Sequence, residues 1–201
     1  MTLWRTIFRQ ISDTGVWLLI GLLLICSLYF TWDVQMRRGA WRSTEEVASI
    51  TSGASVELLQ VIDGDEVSVS HASGTIVVRI LGIKSFDPNM QDPGISSVGQ
   101  ACVEALTRLL GEEGSLRVVF EDRRFDKVGR LLAYLEIDEV DVGLRLIREG
   151  WAMAYARYPF SREETYARAQ EGAKSARAGL WLNPRATQRA EALIKSWQAE
   201  R

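Results

Sequence analysis

The sequence predicts an α+β fold: a five-stranded OB-fold barrel with three or four helices, preceded by one N-terminal transmembrane helix. Short β-rich runs between turn signals over residues 56–83 predict a meander of three strands. A helical pattern follows, and two more strand patterns lie within residues 115–137. A helix between the third and fourth of five strands is typical of the OB-fold barrel. An uncharged apolar segment, residues 14–32, predicts the transmembrane helix.

The size of the chain allows one folded domain with an appendage. It has 201 residues, of which 47% are hydrophobic, and a formal net charge of -2. This charge provides no global basic field, so nucleic-acid binding would depend on a local patch. The two cysteines, Cys26 and Cys102, exclude a disulfide framework.

The segment "TGVWLLIGLLLICSLYFTW", residues 14–32, is bounded by Asp13 and Asp33. At about 1.5 Å per residue it spans roughly 28 Å, close to the hydrocarbon thickness of a bilayer. We therefore expect a single-pass anchor here, with residues 1–13 as a juxtamembrane segment. The alternatives are a buried core helix, which the length disfavours, and a cleaved signal peptide, which the missing small-residue cleavage site disfavours.

The sequence leaves the side of the membrane open. Two arginines precede the span and three follow it closely, so the positive-inside rule favours a cytoplasmic domain only slightly. Short N-terminal anchors often direct export of the domain that follows them, which favours the opposite orientation. Residues 33–55 are polar over their second half, without a sustained period, and are predicted to be a linker.

The folded domain is predicted to start at Val56. Its first two strands flank the turn "DGD", the third is "TIVVRILGI", and a loop, "KSFDPNMQDPGISS", leads to the helix "VGQACVEALTRLLGEEG". The strands "SLRVVFED" and "RLLAYLEI" follow, joined by a charged connection. A second helix is predicted in "DVGLRLIREGWAMAY". A third is predicted from Ser161 to Arg177, with Glu164 completing a capping box, and a fourth over residues 183–201.

Five strings occur in an order that resembles the staphylococcal nuclease (thermonuclease) family: "VIDGDEV", "VRILGI", "FDKVGRLLAYL", "LIREGWAMAY" and "GLW". The resemblance covers residues 56–182. It implies an OB-fold barrel that hydrolyses phosphodiesters of DNA or RNA with the help of Ca²⁺. The anchor and residues 183–201 lie outside the resemblance.

The resemblance also assigns roles to individual residues. It implies that Asp65 binds calcium with Asp63 as a nearby second acid. It also implies that Arg79 binds the phosphate and stabilises the transition state, and that Arg130 is the second phosphate-binding arginine. Tyr155 and Tyr158 fall where the family places tyrosines along its nucleotide pocket. We expect Asp65, Arg79, Asp87 and Arg130 to converge on one mouth of the barrel.

The loop after the third strand departs from the family pattern. The family has an Asp-x-Pro-Glu run there, whereas this chain has Lys84, Ser85, Phe86 and Asp87. Lys84 thus replaces a calcium ligand, and an ammonium group offers no oxygen while adding positive charge. Asp87 keeps a carboxylate in the place of the glutamate that acts on water, but it is one methylene shorter.

Two functions remain open on the sequence alone. The first is a membrane-anchored nuclease whose activity is weakened by Lys84. The second is a catalytically inactive nuclease-like barrel that binds nucleic acid or a protein partner. A purely structural arrangement without metal is also consistent with the charges, with these pairs: Arg79 with Asp65 or Asp87, Arg130 with Asp126, and Lys84 with Asp63.

Overall fold

The computed structural model divides into two compact units, Met1–Arg42 and Ser43–Arg201. It describes these residues: 17–18, 20–27, 50–72, 74–111, 114–122, 124–126 and 129–200.

The predicted membrane span lies only partly within the described residues. Residues 17–18 and 20–27 are helical. Over the described ranges, no helix combines the length and apolar character needed to cross a membrane. Residues 1–13 and the predicted linker up to residue 49 lie outside the described part of the chain.

Among the described residues, the strands of the domain pair antiparallel except for one parallel pair. The strands are β1 (Ala54–Ser55), β2 (Glu57–Asp63), β3 (Glu66–His71), β4 (Gly74–Ile80), β5 (Ile83–Lys84), β6 (Leu116–Val119), β7 (Leu131–Ile137), β8 (Val140–Asp141) and β9 (Met153–Ala154). Strands β2, β3 and β4 form the predicted meander, and β7 runs parallel to β4 with Val78 opposite Leu131.

The hydrogen-bonded strands form a largely open sheet: the mixed α+β class is confirmed, but the expected five-stranded barrel is not closed. Its strand order is β1-β6-β7-β4-β3-β2, with β8 attached to β7, while β5 and β9 form a separate pair. The edge strands β1 and β2 are consecutive segments separated only by Val56, whose N–H donates to the carbonyl oxygen of Leu116 at 2.9 Å. One stretch of chain, interrupted at Val56, thus forms both ends of the strand order. Its first part, β1, lies within the predicted linker.

The helices agree with the predicted order but differ at their ends. They are α1 (Pro93–Leu110), α2 (Val142–Arg148), α3 (Glu163–Ser175) and α4 (Pro184–Ala199), with a 3₁₀ helix at Gly179–Leu182. Helix α1 starts inside the predicted loop, because the Asp92 side chain accepts hydrogen bonds from the N–H groups of Gly94 and Ile95. Helix α2 stops early, and part of the sequence predicted to extend it forms strand β9 instead.

The predicted capping box at the start of α3 does not form. The N-cap residue is Arg162, which makes no side-chain cap, and the Ser161 hydroxyl donates to Glu121 instead. A tertiary partner therefore replaces the local bond that the sequence spacing suggested.

Two apolar clusters organise the domain. The larger one joins the inward residues of the sheet to α1 and α2, with Val67, Val78 and Leu106 fully buried. The second lies beneath α4 and includes Phe86, Trp181 and Trp197. Helix α4 therefore packs onto the domain, although the family resemblance stops at residue 182.

Candidate functional site

A pocket of about 560 Å³ opens between strand β4, strand β5, the segment before α3 and helix α4. Its volume is in the range of small-molecule binding sites. Five residues singled out in the sequence line it: Arg79, Lys84, Arg130, Tyr155 and Tyr158. The sequence therefore predicted most of the polar residues of the pocket, which converge from separate parts of the chain.

Asp65 lies directly behind this pocket and is fully buried. The turn between β2 and β3 places it beside β4, where the Ile80 N–H donates to the Asp65 carbonyl oxygen at 2.9 Å. The Arg79 guanidinium binds both carboxylate oxygens, Nη1 to Oδ1 at 2.9 Å and Nη2 to Oδ2 at 3.1 Å. This is the bidentate geometry for which arginine is suited.

Lys84 and Ser85 complete the environment of the same carboxylate. Lys84 Nζ donates to Asp65 Oδ2 at 2.9 Å, and the Ser85 backbone N–H donates to Oδ2 at 3.1 Å. The ion pair of Arg79 with Asp65, expected in the purely structural arrangement, is thus present. Lys84 pairs with Asp65, whereas the purely structural alternative named Asp63 as its partner.

The two acids of the "DGD" turn have opposite pKa shifts. Burial alone would raise the pKa of Asp65, but attraction by Arg79 and Lys84 outweighs it, so the pKa lies below its ordinary value. Burial raises the pKa of Asp63, and repulsion by the Asp65 carboxylate raises it further. Asp65 therefore carries the negative charge that balances the two cations.

Asp87 does not join the other predicted residues at the pocket. Its side chain is exposed, and its Oδ1 accepts a hydrogen bond from the Asn89 N–H at 2.7 Å. Phe86 is buried in the second apolar cluster, which fixes this part of the loop. The expected convergence of Asp65, Arg79, Asp87 and Arg130 is thus only partial.

Arg130 is held by two carboxylates at the edge of the pocket. Its Nε donates to Asp126 Oδ2 at 2.7 Å, and its Nη1 donates to Glu66 Oε2 at 2.6 Å. Burial would lower the pKa of Arg130, but the hydrogen bonds to Asp126 and Glu66 raise it. The Asp126 pairing agrees with the structural alternative, whereas Glu66, distant in sequence, was not foreseen.

Sequence reasoning missed two parts of the pocket wall. Glu121 lines the pocket and accepts hydrogen bonds from the Tyr134 hydroxyl and from the N–H and hydroxyl of Ser161. Helix α4 contributes Leu193 and Trp197. No local motif in the sequence marks these residues.

The residues of this site do not fit a calcium ion in the arrangement observed. Calcium takes six to eight oxygen ligands, mostly carboxylates, carbonyls and waters. Here the buried Asp65 carboxylate is engaged by Arg79, Lys84 and Ser85, and the exposed Asp87 carboxylate accepts a hydrogen bond from the Asn89 N–H. Among the described residues, no group of three or more His, Cys, Asp or Glu side chains is placed to hold a metal.

Known proteins share this sequence pattern. Thermonuclease from Staphylococcus hyicus is 22% identical over 171 residues, which cover 85% of this chain and 97% of that protein. The SPbeta prophage-derived endonuclease YokF of Bacillus subtilis is 30% identical over 130 residues, 63% of this chain but only 43% of that protein. Endonuclease YncB of the same organism is also 30% identical over 130 residues, covering 61% of its length. The chain thus spans less than two thirds of either endonuclease.

A family model described as "Staphylococcal nuclease homologue" matches residues 77–183. The match covers more than half of the chain and contains Arg79, Arg130 and both pocket tyrosines. The chain therefore belongs to the staphylococcal nuclease family.

Proposed function

We propose that this domain binds single-stranded nucleic acid through its phosphates in the pocket, and that calcium-dependent hydrolysis is suppressed by Lys84. The proposed suppression of hydrolysis is supported by the 2.9 Å contact between Lys84 Nζ and Asp65 Oδ2. An ammonium group there occupies an oxygen that a cation would need. Family membership supports the proposed binding of nucleic acid.

Phosphate binding is supported by the arrangement of Arg79 and Arg130. Both guanidinium groups line one pocket, and carboxylates hold each of them in a defined orientation. A guanidinium has five N–H donors, so an arginine held by carboxylates retains donors for an anion. The same carboxylates offset much of the positive charge, and we therefore expect modest affinity that decreases with salt.

Suppressed calcium binding follows from competition for Asp65. A Ca²⁺ ion would have to displace the Lys84 ammonium from a buried carboxylate and then remain close to it. Two cations near one buried anion repel each other strongly, because the interior screens charge weakly. The exposed Asp87 carboxylate does not line the pocket.

The second candidate is an active phosphodiester hydrolase. Two of the relatives are named endonucleases, and the two arginines that the family resemblance associates with phosphate binding lie at one pocket. In that case a carboxylate other than the one bound by Lys84 would serve the reaction. The same assay decides between the candidates.

The test uses the full-length protein with labelled single-stranded DNA, with and without millimolar calcium. We expect binding without calcium and no calcium-stimulated release of acid-soluble nucleotides. Arg130→Lys keeps the charge but loses the planar fork, so binding should weaken by about tenfold. Arg189→Lys, at an exposed position of α4, is the matched control. Strong calcium-stimulated cleavage by the unmodified protein would favour the hydrolase.

We also propose that residues 14–32 anchor the domain to a membrane as a single pass. The support is the uncharged segment between Asp13 and Asp33, with a length suited to a bilayer. Tethering would place the pocket near a membrane surface, on a side that the sequence leaves open. Nucleic acid is the proposed ligand, and a protein partner is the alternative.

A further inference from the structure

Lys84 lies in a segment of chain that is fixed on both sides. Strand β5, which contains it, pairs antiparallel with β9. Ile83 before it is buried in the larger apolar cluster, and Phe86 after it is buried in the second. The Ser85 N–H between them donates to the Asp65 carboxylate at 3.1 Å. The amino group of Lys84 is therefore held at the wall of the pocket by the fold.

One carboxylate oxygen brings two cationic groups together. Asp65 Oδ2 accepts from Arg79 Nη2 at 3.1 Å and from Lys84 Nζ at 2.9 Å, so these two nitrogens lie close to each other. Arg79 and Lys84, here called the cation pair, both line the pocket, and the Lys84 side chain is 33% exposed. Asp65 is fully buried, and Asp63, the other acid of its turn, does not line the pocket. A ligand in the pocket therefore meets the two cations and not the carboxylate that holds them.

The balance of charge differs between the cation pair and the rest of the pocket. The cation pair shares one carboxylate, that of Asp65, and so carries an excess of positive charge. Arg130, in contrast, is bound by two carboxylates, those of Asp126 and Glu66. Glu121, which also lines the pocket, accepts hydrogen bonds from neighbouring hydroxyl groups. An anion in the pocket is therefore attracted most strongly to the cation pair.

We infer that Lys84 is itself a phosphate ligand, whose ammonium group binds one phosphate of the nucleic acid together with Arg79. This inference rests on the proposed function, because it names a residue that binds the same strand. An ammonium group has three N–H donors, and Lys84 uses one of them for Asp65. The family resemblance places a calcium ligand at this position, so the chain supplies here a positive charge that does not depend on a metal. Phosphate binding by Lys84 therefore needs no calcium.

The experiment measures binding of short labelled oligothymidylates to the full-length protein by fluorescence anisotropy, in the presence of a chelator. In each strand of a series, one phosphodiester is replaced by an uncharged methylphosphonate. One such replacement should weaken binding to the unmodified protein by about tenfold. Lys84→Met should bind the fully charged strand about tenfold more weakly and lose less than about twofold at that same linkage, because the contact is already absent. Lys84→Arg, which keeps the charge, should retain most of the loss at this linkage.

The controls separate a phosphate ligand from a lysine that only neutralises Asp65. Lys195→Met, at an exposed position of α4, should bind every strand as the unmodified protein does. If Lys84→Met weakens all strands equally and keeps the full loss at every linkage, Lys84 does not bind phosphate, and the site formed by the arginines stands.

Two further outcomes are decisive. If the unmodified protein binds no strand, or binds every strand equally well, the proposed function fails together with this inference. If Lys84→Met does not fold, Lys84→Met combined with Asp65→Asn removes both charges of the ion pair and leaves no unpaired buried carboxylate. A full loss at every linkage in this double variant would overturn the role of Lys84, and a reduced loss at one linkage would support it.

Discussion

Lys84 Nζ lies 2.9 Å from Oδ2 of Asp65, a fully buried carboxylate that Arg79 also binds through both of its oxygens. One buried anion thus serves two cations. Removing a partner from such a group leaves a charge without full compensation, which is costly in the interior of a protein.

Lys84→Asp should therefore destabilise the domain in the absence of calcium. The loss of one charge-assisted hydrogen bond and the added carboxylate correspond to about 2 kcal/mol, or a melting temperature lower by about 5 °C. Calcium should restore stability, because oxygen ligands and negative charge replace the ammonium. Calcium-dependent melting curves measure both effects. Lys195→Asp, at an exposed position of α4, should show neither.

Asp87→Glu alone should leave the calcium response absent, because Lys84 still occupies Asp65. Combined with Lys84→Asp, it should increase cleavage of single-stranded DNA beyond either single change, since the longer side chain extends the reach of the carboxylate. Release of acid-soluble nucleotides by all four proteins provides the comparison. Equal activity of the double variant and Lys84→Asp would show that position 87 does not take part.

Tyr134 should make stability fall at alkaline pH. Burial and the hydrogen bond to Glu121 raise its pKa to about 12, above the ordinary value of about 10. Its contribution is present below pH 10 and is lost as pH rises towards 12, because the unfolded chain ionises first. Denaturant midpoints across this interval, with tyrosinate absorbance, measure the effect. A smaller decline in Tyr134→Phe is expected, and ionisation of Tyr134 near pH 10 would contradict the account.

Gly99→Ala should destabilise the domain by about 2 kcal/mol or more. A Cβ at Gly99 would lie 2.6 Å from the Phe86 carbonyl oxygen and 2.8 Å from the Pro88 nitrogen, so α1 and the loop would have to separate. Gly172→Ala in α3 is the matched control, because a Cβ there meets no atom within 4 Å. It should stabilise by roughly 0.5–1 kcal/mol, the ordinary gain at a helix interior. Urea unfolding distinguishes the opposite signs.

Membrane anchoring can be tested by sedimentation. The full chain should sediment with membranes, and a chain lacking residues 1–40 should stay in the supernatant. Leu23→Arg should weaken association, since a central arginine costs roughly 3 kcal/mol of insertion free energy. Leu182→Arg, at a position 64% exposed in the folded domain, is the control and should not weaken membrane association. Sedimentation of the shortened chain would locate the membrane contact elsewhere.

The sequence by itself determined the order of the main strands and helices, the family, and most of the charged residues at the pocket. These depend on local periodicity and on short strings whose order is preserved along the chain. Arg79, Arg130, Tyr155 and Tyr158 were found in this way and line one pocket. Their roles in binding and catalysis stay predictions.

Only the tertiary structure decided which charge meets which. Asp65 precedes Lys84 by 19 positions and Glu66 precedes Arg130 by 64, so no local pattern encodes either pair. The same holds for the bond of Ser161 to Glu121, which replaces a predicted helix cap. It holds also for Trp197, because a helix pattern shows which face is apolar but not the surface that the face covers. Pairings of this kind arise from the packing of distant elements, where geometry and desolvation select one partner among several of suitable charge.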